Sequence, residues 1–171
     1  VANPAALSPY STYGTNIYLA APITTQNQPI AILAGQAVPN PAGQTTTYST
    51  APGNEYIYAN VSSGGGDITL SNMNPITGAG SSGGYIGVAV GSSPSLTYTT
   101  VVIDASNTVA NSGGNITING ESNTSRQGVE LDYTTLRTSG SGAINLLGKA
   151  GSGGQKGLLF YQGAVDISTE N

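Results

Sequence analysis

Glu130 and Asp132 are the pair whose residue types and spacing could do chemistry. Two positions apart on one strand, their carboxylates fall about 7 Å from each other. Glycoside hydrolases use that separation when one acid protonates the leaving group and the other assists water. Arg126 and Arg137 lie nearby in the chain, and exposed ion pairs, worth little in energy, explain the same residues more simply. No aromatic-rich cleft signal accompanies the pair, so no catalytic residue is assigned. Asp104, Glu130 and Asp132 are also the only carboxylates to suspect for calcium between loops. Gly64-Gly65-Gly66-Asp67 comes near the calcium-binding nonapeptide pattern. Its Asp is in the wrong register, however, and one copy does not complete an ion's oxygen shell. No metal ligand is assigned.

Two glycine-rich stretches invite phosphate chemistry. Gly78-Ala79-Gly80-Ser81-Ser82-Gly83 has the three spaced glycines of a dinucleotide loop, which requires a helix to follow it. Tyr85-Ile86-Gly87-Val88 follows instead and reads as strand. Gly148 to Lys156 sets backbone amides beside lysine, yet lacks a Gly-Lys-Ser or Gly-Lys-Thr triplet in register. Both stretches read as turns, and no cofactor is expected. Asn60-Val61-Ser62, Asn115-Ile116-Thr117 and Asn123-Thr124-Ser125 fit the glycosylation sequon. Where such an Asn recurs at a turn, a hydrogen-bonded ladder between stacked repeats is the preferred reading.

Composition narrows the function classes further. The 171 residues contain no Cys and no His, which removes disulfides, thiolate zinc sites and the usual nucleophile and base pairs. Four basic against eight acidic residues give a net charge of -4, without the basic stripe that nucleic-acid binding needs. No apolar run of about 18 residues spans a membrane. Val1-Ala2-Asn3-Pro4-Ala5 has neither the basic nor the apolar region of a secretion signal, and a processed or excised chain accounts for that start. Ten Tyr and abundant Ser, Thr and Asn fit a strand-rich, weakly charged surface.

The elements that must carry these residues show themselves by self-similarity. Gly114-Asn115-Ile116-Thr117-Ile118-Asn119-Gly120 returns further on as Gly142-Ala143-Ile144-Asn145-Leu146-Leu147-Gly148. Gln127-Gly128-Val129-Glu130-Leu131 returns, after an interval one position longer, as Lys156-Gly157-Leu158-Leu159-Phe160. Gly66-Asp67-Ile68-Thr69-Leu70 and Ile86-Gly87-Val88-Ala89-Val90 share the pattern. The interval from Gly66 to Gly114 is too long for one such repeat and short for two, so Leu96 to Val109 reads as an inserted or degenerate coil. Alternation turns Ile68, Leu70, Ile86, Val88, Ile116, Ile118, Val129, Leu131, Ile144, Leu146 and Leu158 inward, and Glu130 and Asp132 out to solvent. A unit this small buries its apolar face only by stacking on copies of itself. The expected fold is therefore all-β, a right-handed parallel β-helix, with an antiparallel β-sandwich as the alternative.

Two regions are expected. Residues 1–60 form an irregular strand-rich entry segment, with strands at Asn16–Leu19, Pro29–Leu33 and Glu55–Ala59 and a long loop near 38–53; Pro22 and Pro29 suit strand starts. Residues 61–171 form the repeat coils. Gly163-Ala164-Val165-Asp166-Ile167-Ser168-Thr169 reads as a strand still under way, so further chain, another copy or a partner is expected to cover it.

The blocks Gly66 to Leu70, Gly114 to Ile118 and Gly142 to Leu146, with Asn16-Ile17-Tyr18-Leu19-Ala20-Ala21-Pro22-Ile23, resemble the repeats of filamentous haemagglutinin-type large exoproteins, which are two-partner-secreted adhesins. The resemblance covers residues 60–171 well and the first 60 loosely. It implies a right-handed parallel β-helix, secretion across the bacterial envelope, an extracellular or cell-surface location, and a non-enzymatic role as an adhesive or structural stalk. Asn40-Pro41-Ala42-Gly43 only partly matches that family's secretion domain, so this segment is not assigned to it. Expected partners are further repeats or other copies of the chain, and glycans or a cell surface. The alternatives are a filament subunit that exchanges strands between copies, with Val1 to Tyr13 as the tail, and a polysaccharide-active β-helix enzyme.

Overall fold

The computed structural model describes residues 10–14, 16–34, 53–72, 86–91, 100–107, 109, 112–122, 126–151, 153 and 156–170. The long loop expected near 38–53 lies outside them save for Gly53, as do Gly78 to Gly83, Asn123 to Ser125 and the part of the expected tail before Tyr10.

Each turn of the chain lays down three short strands. They are β1 (Tyr10–Gly14), β2 (Asn16–Leu19) and β3 (Ile23–Thr24); β4 (Ile30–Ala34), β5 (Asn54–Ile57) and β6 (Val61–Ser62); β7 (Ile68–Ser71), β8 (Val88–Val90) and β9 (Val101–Asp104); β10 (Ile116–Glu121), β11 (Val129–Leu131) and β12 (Thr134–Ser139); and β13 (Ile144–Lys149), β14 (Leu158–Phe160) and β15 (Val165–Glu170). Every third strand pairs in parallel, which gives three five-stranded sheets ordered β1-β4-β7-β10-β13, β2-β5-β8-β11-β14 and β3-β6-β9-β12-β15. The molecule is a right-handed parallel β-helix, and the antiparallel sandwich is ruled out. Pro22 and Pro29 stand immediately before β3 and β4, where a missing N–H costs the ladder nothing.

Register turns the alternating sequence into columns. Ile30, Ile68, Ile116 and Ile144 lie over one another, as do Ile32, Leu70, Ile118 and Leu146. Val88, Val129 and Leu158 form a matching column in the second sheet. Ile30, Ile32, Ile68, Leu70, Ile116 and Ile118 are fully buried, each stabilising the fold by about 1.5–3 kcal/mol relative to exposure. In the final coil Ile144, Leu146 and Leu158 pack on this core but are half-buried, because no coil covers them. Ile86, expected inside, is half-buried and precedes β8 rather than belonging to it.

The long interval between Gly66 and Gly114 is a single coil. Ile68 pairs directly with Ile116, and Val101–Asp104, inside the stretch expected to be an extra coil, is the third strand of this one. The added length sits in the corners after β7, β8 and β9, where a solenoid accepts insertions without disturbing its register. The strands before and after residue 60 share the same three sheets.

The echoed glycines have a steric cause. A Cβ on Gly114 would lie 2.2 Å from the carbonyl oxygen of Gly66, and one on Gly142 would lie 2.6 Å from that of Gly114. Backbones of successive coils touch at this corner, and only glycine fits.

Candidate functional site

The polar residues gather at the corners, and there they join coils. Asn16 Oδ1 accepts from the Asn54 amide at 3.1 Å, and Asn60 Oδ1 accepts from the Val102 amide at 2.9 Å. Asp67 Oδ1 takes the Asn115 amide at 2.7 Å, while Asn115 Oδ1 takes the Ala143 amide at 3.0 Å. Asp132 Oδ1 takes the Gln162 amide at 3.0 Å. Asn72 is buried and makes three such bonds: its Oδ1 accepts from Glu121 N at 2.8 Å, and its Nδ2 donates to Glu121 O at 2.8 Å and Gly53 O at 3.1 Å. In all six cases the side-chain oxygen accepts from the coil that follows. The ladder reading of the sequon asparagines therefore holds for Asn60 and Asn115.

Hydroxyls close the corner between the third sheet and the first. Thr25 Oγ1 donates to Gln28 O at 2.7 Å, Ser63 Oγ to Gly66 O, and Thr138 Oγ1 to Gly114 O at 2.6 Å. Ser63 and Thr138 are completely buried, so these bonds satisfy carbonyls that the turn would otherwise strand.

The carboxylates suspected of chemistry are dispersed. Glu130 and Asp132 are 6% and 2% exposed, a correction to the solvent-facing placement. Glu130 stands in register between Ala89 and Leu159 of the adjoining coils, and all three residues of β11 are buried. Asp132 lies in the turn beyond β11, its side chain directed along the stack to Gln162. Arg137 pairs with Asp104, and at 4.0 Å with Glu170, rather than with either of them; Arg126 is exposed. Burial pushes the Asp104 carboxyl up, but the hydrogen bond from Arg137, with those from Ser106, outweighs it and holds Asp104 below its ordinary value. Lys149, next to Gly148 in the suspected phosphate loop, lies in β13 with its Nζ 2.9 Å from Glu121. Among the described residues no three potential metal ligands group together, so Asp104, Glu130 and Asp132 do not converge.

Glu55 is the residue that pattern reading passed over. It pairs with Ile17 on one side and Val88 on the other, pointing into the interior column of the second sheet, and is fully buried. Neither carboxylate oxygen completes a hydrogen bond. Burial drives its pKa well above the usual carboxylate value, and the main chain of nearby Ser71 offsets this only in part. The signal was available: Ile57 is an inward residue of the same strand, so the residue two before it must be inward too.

Family models, curated proteins and solved structures all return no similar protein at a significant level.

Proposed function

We propose that the chain is a non-enzymatic structural and adhesive segment of a large secreted exoprotein at the bacterial cell surface, of the kind its repeats resemble. The observation that carries this reading is the engagement of corner side chains from Asn16 to Asp132 in bonds between coils. Such side chains build a stack; they are not held ready for a substrate. The burial of Glu130 and Asp132 counts against the polysaccharide-cleaving alternative. For adhesion, the support is an aromatic surface. Tyr18 is 63% exposed and stacks on Tyr56 with ring centroids 5.0 Å apart and planes 10° apart, on the outer side of the second sheet. Flat aromatic faces beside hydroxyl and amide groups suit the apolar faces of sugars.

A glycan array tests the adhesive part: binding that Tyr18→Ala weakens supports it, and the absence of any binder removes it. The intact mass of the protein from its natural source tests the stalk, which requires a value far above the 17.0 kDa of this chain. A second reading, a filament subunit, draws on the last coil, where Phe160, Tyr161 and Ile167 are about half exposed or more beside unpaired strand edges. A natural mass near 17.0 kDa, with polymers of the short chain, would favour it.

A further inference from the structure

Among the described residues, Glu55 occupies the interior place that Ile17, Val88, Val129 and Leu158 hold in the other four coils. An ionised carboxylate there would have lost its water with no countercharge and only the Ser71 main chain to offset the loss, a cost that buried charges avoid by taking up a proton. Among the described residues, the side chains around it offer no countercharge. β2 presents Ile17, β8 presents Val88, and β4 presents Ile30, Ile32 and Ala34. Ser71 and Asn72 close the corner, and none of these side chains titrates. No Lys or Arg precedes Arg126 in the sequence. The carboxylates Asp104 and Glu121 lie with their own cations, Arg137 and Lys149.

We propose that Glu55 is carried inside the second coil as a neutral acid and makes the solenoid proton-dependent, tight while this carboxyl keeps its proton and loosened as it ionises. The direction follows from linkage. In the unfolded chain Glu55 ionises in the ordinary carboxylate range, whereas in the fold it does so at higher pH. Its contribution is complete below the unfolded pKa and is lost as pH rises through the folded one. Between the two, folding takes up one proton, and the folding constant falls about tenfold per pH unit.

The test follows the Glu carboxyl carbons of the folded chain by NMR, and urea unfolding of wild type and Glu55→Gln, from about pH 4 to about pH 9. The expected result is a Glu55 resonance that stays protonated beyond the ordinary range. The wild-type folding constant should fall about tenfold per pH unit above the unfolded pKa, and Glu55→Gln should lack that slope. A Glu55 resonance titrating in the ordinary range, or a Glu55→Gln variant that keeps the wild-type slope, would overturn the proposal. Should the variant not fold, the wild-type resonance and slope still decide.

Discussion

Asn72 and Asn115 carry out the same kind of task with different consequences. Asn115 is exposed, so water replaces its bond to Ala143 when the side chain is lost. Asn72 is buried, and its removal strands both main-chain groups of Glu121 and the Gly53 carbonyl. Urea unfolding is expected to show a loss of about 2–3 kcal/mol for Asn72→Ala and of about 1 kcal/mol or less for Asn115→Ala. The ion pair of Asp104 and Arg137 is smaller in effect, because Arg137 is 39% exposed and solvent screens it. Arg137→Met is expected to cost about 1 kcal/mol at neutral pH. Asp104 has its pKa depressed in the fold, so its contribution is present above the unfolded value and lost as pH falls through the folded one. The cost of Arg137→Met should therefore vanish in acid, which unfolding at the two pH values would check.

Each strand is too short to persist alone, and the corners decide where it begins and ends. Gly66, Gly114 and Gly142 occur before β7, β10 and β13 because main chains touch there. Gly114→Ala is expected to cost about 1–3 kcal/mol, the usual range for forcing atoms into filled space, as read by thermal or urea unfolding. The loss should exceed that of a Thr117→Ala change on the outer side of β10, where no backbone is displaced. The corner between the first and second sheets absorbs great variation in length. Only Thr15 separates β1 from β2, whereas all of 35–53 separates β4 from β5, and the sheet register on either side is kept.

A solenoid divides its stability along the stack, since each coil meets only its neighbours. The third and fourth coils are covered on both sides, and their inward residues are fully buried; those of the fifth are half-exposed. Native-state hydrogen exchange is expected to protect the amides of β7 and β10 at least about tenfold more than those of β13, β14 and β15. Uniform protection along the stack would instead mean that the molecule opens as one unit. Glu55 adds a pH dependence opposite in sign to that of Asp104, so stability should decline both in strong acid and as pH rises.

Much of this was legible in the residues. Alternation and the echoed blocks after Gly114 and Gly128 suffice for strands, inward columns and a stacked architecture, because a period of two fixes faces and a recurring glycine marks where backbones meet. What the linear pattern lacks is knowledge of what lies above and below a residue. Only the tertiary structure showed that the interval from Gly66 to Gly114 is one coil with long corners, since chain length in a corner leaves no trace in the register. It also buried Glu130 and Asp132, whose cover comes from adjoining coils, and sent Arg137 to Asp104, a coil away. Glu55 lay between the two: the alternation aimed it inward, but only the stacked coils on either side removed its water and left it facing apolar side chains.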